Sequence, residues 1–371
     1  MSDRHGGGAK PPHARRRPGH TGASLDAERT LRGYRAVETI YHAYLTGLIL
    51  MVVSRRGAGD AAELVFRLFR RQQLEKFLPG LDKLGLRGLP HALACAQYHY
   101  LSNHLGGVRV EYMYESDRKA WVRYVPPRWM YDGTAICGVP TEVSRAVLRG
   151  WHANNGVLLG NPRLGFVCTK QTTDGEPGLE GYYYEHDRDL APEERLRFAP
   201  DEDGPDFDPA GAPRLDSATW PPERLAGASR NYSMAYVRTI LPELVELFGP
   251  EEAVSLGGLA ARQIGMQFYP ATAALLGVEP GGAAGFARYL TAIGHAQGDD
   301  TSEIGDSGVS QTTWRLMAGL DALASAVFDV WNELWVGALS IHDRHLRLEV
   351  TRRLAAGDGR VEWRIVPRER R

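Results

Sequence analysis

The sequence has few cysteines, no long apolar run and almost no net charge, and each shortage excludes a class of protein. Only three cysteines occur among 371 residues, Cys95, Cys137 and Cys168, and no two form a CxxC pair. An odd, unpaired set argues against a disulfide framework and against a structural zinc site, and it fits a reducing compartment. The expected location is therefore cytoplasmic. Lysine and arginine total 44 against 45 acids, so no basic field recommends nucleic acid as a partner. The apolar run Leu48 to Val53 is far shorter than the roughly 20 residues that span a bilayer; it reads as part of a buried helix, and no membrane partner is expected. No P-loop, dinucleotide fingerprint, G-x-S-x-G or HExxH motif is present.

What is present has the composition of a globular protein, with 43% hydrophobic and 24% charged residues. Residues 1–28 are rich in Gly, Pro, His and Arg and include Arg15, Arg16 and Arg17 without an apolar stretch behind them. They read as a disordered basic tail rather than an export signal, with organelle targeting as the alternative. Residues 199–228, which contain PDEDGPDFDPAGAPRLD, read as an acidic Pro/Gly linker or an arm lying on the surface. The chain thus divides into a first unit over 29–198 and a second over 229–371.

Both units follow one order. In the first, Val37, Ile40, Tyr44 and Leu48 recur at helical spacing, and Leu64, Val65, Leu68 and Phe69 form a second stripe after Asp60. A third helix covers Leu89 to His104. The period then changes to two: Val108, Val110, Tyr112 and Tyr114 alternate with Arg109, Glu111, Met113 and Glu115. KAWVRYV completes a hairpin, a helix begins at Thr141, and LGFVCTKQT with LEGYYYE forms a closing hairpin. In the second unit three helices precede SQTTWRL, read as a strand; a long helix and the hairpin LRLEVTRR/GRVEWRIV follow. The closing hairpins align without a gap, Leu164, Phe166 and Cys168 matching Leu346, Leu348 and Val350. Trp121 and Trp314 fall at similar places in their strands, Trp151 and Trp331 in their helices. The expected fold is α+β: two tandem diverged repeats, each an antiparallel sheet of two β-hairpins with helices packed on it, forming a pseudo-dimer. Ordinary α+β domains sharing hairpins and helices are the duller alternative.

The succession VEYMYESDRKAWVRYV, a helix carrying Trp151, then LGFVCTKQTTDGEPGLEGYYYE resembles the L-2-amino-thiazoline-4-carboxylate hydrolase-like family, which is related to the 4-vinyl reductase and haem nitric-oxide-binding folds. The resemblance covers most of residues 35–190 and, more faintly, 230–366. It implies an α+β small-molecule pocket and hydrolysis of a C–N or C–S bond in a small heterocycle. Relatives carry a cysteine in the helix before the last hairpin; here Trp151 and His152 stand there, which departs from a cysteine-based reaction.

The densest polar cluster is WHANNG, Trp151 to Gly156. His152 is the candidate general base, Asn154 and Asn155 the polar anchors, and Trp151 an aromatic wall. A helix C-terminus also favours Asn and Gly for backbone reasons alone. In CTKQT, strict alternation puts Lys170 on the face of Cys168, where a buried lysine becomes a base or nucleophile, while Gln171 faces the other way as a substrate ligand. In YYYEH, Glu185 is a further catalytic candidate and Tyr182 a pocket wall; cross-strand aromatic packing is the alternative. His91, Cys95 and His99 share one helix face at spacing four, a ladder that fits a divalent metal or haem.

These residues point first to a cofactor-independent hydrolase or lyase acting on a small polar, heterocyclic metabolite. The alternative is a sensor or carrier module for a small molecule or haem. The expected partner is a small molecule, with a homodimer as the assembly to test. The second unit reads mainly as scaffold.

Overall fold

The computed structural model describes residues 22–128, 130, 132–319, 324–354 and 357–369. The protein is a mixed α+β structure with two antiparallel-rich sheets. The basic run Arg15 to Arg17 lies outside the described residues.

The first half runs α1 (Gly22–Arg56), α2 (Ala58–Lys83), α3 (His91–Leu105), β1 (Val110–Ser116), β2 (Lys119–Tyr124), α4 (Thr141–Gly150), α5 (Asn155–Leu158), β3 (Leu164–Lys170), β4 (Leu179–Glu185) and β5 (Leu196–Phe198). The second runs α6 (Pro222–Phe248), α7 (Pro250–Leu276), α8 (Ala283–Gln297), β6 (Thr301–Ile304), β7 (Gly308–Gln311), α9 (Ala324–His342), β8 (Leu346–Arg352) and β9 (Val361–Pro367). The sheet orders are β1-β2-β4-β3-β5 and β6-β7-β9-β8, with β3–β5 the parallel pairing.

Two boundaries differ from the sequence reading. Helix α1 already includes residues 22–28, and α6 takes up 222–228 of the expected linker. Between Asp26 and Arg56 the chain is apolar and long enough to cross a membrane by length and composition, yet 61% of its most apolar window is buried inside the protein. The short run Leu48 to Val53 was thus a poor guide to the whole helix, whose apolar residues are spread by the helical period around a face that meets several partners. Helix α1 packs against α2, α6, α7 and α8. Val37, Ile40, Tyr44 and Leu48 belong to one continuous buried cluster that also contains Val237, Leu244 and Trp331. The two halves share a core.

Strand alternation sorts the first sheet into two faces. Val110, Tyr112, Val122, Tyr124, Phe166, Cys168 and Tyr183 join the main core. Met113, Trp121, Val167 and Tyr182 form a smaller cluster on the outer face, against Ala199 and Phe207 of the segment that follows β5. That segment is an arm held by polar contacts. The Gly204 amide donates to Glu180 (3.0 Å), Arg123 donates to the Pro205 carbonyl (3.3 Å), and Lys170 meets Asp203 (2.9 Å). Glu180, although 4% exposed, is paired with Arg123 at 2.6 Å and also accepts from Thr169, so its buried charge is fully satisfied. Arg123 pairs with Glu111 as well, at 2.9 Å.

The closing hairpins share one register at a constant offset. Leu164 pairs Glu185 as Leu346 pairs Pro367, and both ladders slip by one residue, between Cys168 and Lys170 and between Val350 and Arg352. Elsewhere the expected correspondences change. SQTTWRL is a strand only as far as Gln311, and its hairpin partner is β6, which precedes it. Thr312 and Thr313 instead bond Asp299 and Asp300, ending the ladder. Trp314 therefore lies beyond the strand. Cross-strand pairing to β4 and β9 sets Val122 opposite Gly181 and Val309 opposite Trp363, so Trp121 corresponds to Gly308 rather than to Trp314.

Candidate functional site

The helix that begins at Thr141 ends sooner than the sequence suggests. Helix α4 stops at Gly150; a single 3-10 turn, His152–Asn154, and the short α5 replace its continuation. The chain then turns into β3 with Gly156 packed so tightly that a Cβ would lie 2.7 Å from the carbonyl oxygens of both Asn161 and Leu164. The break turns His152, Asn154 and Asn155 inward together, and all three are buried.

They meet residues from four other elements. The Asn155 amide nitrogen donates to the Tyr183 hydroxyl (2.9 Å) and lies 3.3 Å from His99 Nε2. Its oxygen accepts from Gln73 (3.2 Å), whose own oxygen accepts from Asn154 (2.9 Å). His99 Nδ1 is 2.9 Å from the Tyr124 hydroxyl. His152 Nδ1 is 2.7 Å from the Tyr183 hydroxyl, and its Nε2 is 3.4 Å from that of Tyr124. The two imidazoles stack with centroids 4.1 Å apart at 13°. The network thus ties α2, α3, β2, β4 and the turn after α4 into one polar knot.

No member of this knot is ionised near neutral pH. Burial lowers the His99 imidazolium to about 3, and burial, then His99 and Arg128, hold His152 well below its ordinary value. Burial raises both Tyr124 and Tyr183. Buried polar groups in so dry a place must be neutral and paired.

Three members of the knot, His99, Tyr124 and His152, form the floor of a cavity of about 900 Å³. Tyr98, Trp151, Tyr232 and Tyr236 are among its walls, and the exposed Lys76, Lys83 and Arg224 stand at its mouth. Trp151 is 8% exposed, stacks near Tyr98 at 6.1 Å, and its indole N–H has no hydrogen-bond partner among the described residues. Trp220, at the end of the arm, also lines the mouth and lies between Lys83 (4.8 Å) and Arg224 (4.2 Å). In the second half the space between α8, α9, β7 and β9 is a void of about 20 Å³, filled in by Trp314, Phe328, Trp331, Trp335 and Trp363. Helix α9, unlike α4, runs unbroken past this point.

Of the residues singled out in the sequence, Trp151, His152, Asn154 and Asn155 come together here, with His99 from the proposed metal ladder. The others do not. Lys170 was placed on the Cys168 face by strict alternation, but the bulge between them sets Lys170 opposite Glu180. A bulge adds a residue and reverses facing, so Lys170 reaches the arm at Asp203 and the Pro200 carbonyl. Tyr182 lies on the outer face with Trp121, at 4.5 Å. Gln171 is bonded to Asp174 (2.9 Å) beyond the end of β3. Glu185 belongs to a separate, shallow polar cleft, where it pairs with Arg163 (2.7 Å) and accepts from Asn161, which also touches His91. Cys95 is buried beside Asn155, and burial raises its thiol; burial likewise pushes Cys168 up to about 12. His91, Cys95 and His99 do not converge, and no cluster of three or more His, Cys, Asp or Glu residues with metal-binding geometry occurs among the described residues.

Sequence reading passed over Gln73, Tyr124 and Tyr183. Tyr183 was within reach: the apolar set Leu164, Phe166 and Cys168 marks the inner face, and Tyr183 stands directly opposite Phe166. Nothing local marks Gln73 or Tyr124, because what distinguishes them is a contact made across more than 25 residues of chain.

The depressed histidines fix how stability depends on pH. His99 titrates near 6.5 when unfolded and at about 3 when folded. Stabilisation by the neutral ring is complete above about pH 6.5 and is lost as pH falls toward the folded value. His152 and His42 are shifted the same way. Urea unfolding at a series of pH values below 6.5 should show stability declining by about 1.4 kcal/mol per pH unit for each of these histidines. A flat profile between about pH 7 and 5 would contradict a neutral, buried pair.

Comparisons of the chain with family models, with curated proteins and with solved structures give no match.

Proposed function

We propose that the first half is a binding module for a small, flat, uncharged molecule of aromatic or heterocyclic character, held in the large cavity. The observation that carries this reading is the pairing of an aromatic-walled space of about 900 Å³ with a floor of neutral imidazole and phenol groups, His99, His152 and Tyr124, backed by the buried amide of Asn155. Such a pocket offers apolar area for affinity and a few fixed polar groups for orientation. An uncharged ligand suits the floor, where no member of the knot is ionised; Arg128, which also lines the cavity and lies over the Tyr124 ring at 4.8 Å, is the nearest charge.

A cofactor-independent hydrolase or lyase acting on a C–N or C–S bond of a heterocycle is the second reading. His152 favours it, since it lines the cavity and its Nε2 is held only by a 3.4 Å contact. It ranks second because so weak a base is poorly matched to proton abstraction near neutral pH. Haem or metal ligation ranks lower, since three of the four ring nitrogens of His99 and His152 are engaged at 3.3 Å or closer, which leaves only His152 Nε2, at 3.4 Å from Tyr124, for a ligand.

Descent of both halves from one module is part of the same proposal. Support comes from the common order of helices and strands, the matching strand orders, and the shared register and slip of the closing hairpins. On that view the second pocket closed as tryptophans filled it. Kinship with the L-2-amino-thiazoline-4-carboxylate hydrolase-like family would supply a pocket-bearing ancestor.

A thermal-shift screen of neutral bicyclic and tricyclic heterocycles tests the binding reading, with mass spectrometry of each hit for turnover. A binder at a hundred times its Kd adds about 2.7 kcal/mol of stability. Hits that stabilise the wild type and lose their effect when Trp151→Ala shortens the wall support the pocket. Hits that are consumed move the hydrolase reading to first place, and a panel without a single hit counts against both.

A further inference from the structure

The hydrogen-bond directions in the knot say what the ligand must bring to it. The Asn155 amide nitrogen has two hydrogens and donates them to Tyr183 and His99, with the buried Cys95 thiol a weaker acceptor beside it; its orientation is set by Gln73, which donates to its oxygen. His99 Nε2 is then an acceptor, and in a neutral ring Nδ1 must carry the proton, which it donates to the Tyr124 oxygen at 2.9 Å. The Tyr183 oxygen accepts from Asn155, and Tyr183 is fully buried with His152 as its other partner. If His152 donated through Nδ1, the Tyr183 hydroxyl hydrogen would be stranded in the core, among the described residues. The satisfied arrangement has Tyr183 donating to His152 Nδ1, which leaves the His152 proton on Nε2.

Two branches therefore leave Asn155, and both end in donors at the cavity. One ends at His152 Nε2–H. The other ends at the Tyr124 hydroxyl, whose oxygen accepts from His99 and whose hydrogen is left to point outward. The two terminal atoms are 3.4 Å apart, and both residues line the cavity. Resting on the pocket reading above, we propose that the floor is a two-donor claw for one acceptor oxygen, so that the ligand class is a neutral ring compound bearing a carbonyl: a ketone, lactam or quinone. One sp² oxygen has two lone pairs and can take both donors at once.

Xanthone and xanthene test this, since they share a tricyclic frame and differ only in carrying a carbonyl or a methylene. Apolar burial alone would favour xanthene, because a carbonyl without a donor is costly to bury. Equilibrium dialysis should show xanthone bound about tenfold more tightly than xanthene, with that preference lost in Tyr124→Phe. The infrared carbonyl stretch of xanthone bound to the wild type should lie below its position in hexane; this second readout stands even if Tyr124→Phe does not fold. Equal affinities, or a stretch at the hexane position, would overturn the two-donor floor while leaving a pocket that binds tricyclic rings. Saturable binding of neither compound would overturn the pocket reading and this inference with it.

Discussion

Replacing Asn155 with alanine should destabilise the protein by about 4 kcal/mol, among the largest effects of any single polar residue. Asn155 is 0% exposed and joins three partners. Without it, Gln73 loses an acceptor, while His99 Nε2 and Tyr183 lose a donor. Each buried group left unsatisfied costs about 1–3 kcal/mol, and no water from bulk replaces the amide without opening the core. Asn154 makes a useful contrast. It donates one bond, to Gln73, and Asn154→Ala should cost about 1 kcal/mol. Urea unfolding of both variants decides the matter: losses of similar size would mean that Asn155 is one polar residue among several rather than the branch point of the knot.

Gly265→Ala and Gly337→Ala should each destabilise by about 3 kcal/mol, although alanine is ordinarily favoured over glycine in a helix by about 1 kcal/mol. The reversal comes from the crossing of α7 and α9. A Cβ on Gly265 would lie 2.1 Å from the Leu334 carbonyl oxygen, and one on Gly337 would lie 2.1 Å from that of Arg262. The obstacle is backbone on both sides, so no rotamer relieves it and the helices must move apart. Once parted for one methyl group they have room for the second, so the double variant should cost less than the sum of the two. Denaturant titration of the two single variants and the double measures this directly; additive losses would mean that each clash is relieved locally.

The class of the fold was legible because it rests on local periods. Helical and two-residue patterns marked the long helices and both closing hairpins, while the short β5 and β6 carry too few residues to show a period; the polar density of WHANNG marked the turn that builds the site. Legibility failed where a long-range pairing overrides local alternation. One bulge turned Lys170 from the core to the arm, and no property of CTKQT announces a bulge. A choice of parity separated Tyr182, on the outer face, from Tyr183, in the knot. Three tyrosines in a row carry no amphipathic signal, so only the opposing strand tells them apart. SQTTWRL reads as a strand through Trp314, matched to Trp121, but the side chains of Thr312 and Thr313 cap the loop against Asp299 and Asp300 first. His99 was seen for its spacing from His91 and Cys95. Its role in the knot depends on Tyr124 and Asn155, which approach from other elements.

Helix α1 is made first and finished last. Its partners are α2 within its own half and chiefly α6 and α7 from the other, with α8 and Trp331 of α9 completing the packing, so most of its surface has nothing to rest against until α7 has left the ribosome. An 18-residue window within Asp26 to Arg56 is apolar enough to pass for a membrane span by composition, and until its partners arrive that stretch is exposed. Synthesis at about 5–20 residues per second makes the wait long compared with helix formation. The chain therefore has a window of vulnerability to aggregation, set by the order in which its parts are made, and a chaperone that holds apolar helices should raise the yield of folded protein most when it acts during translation.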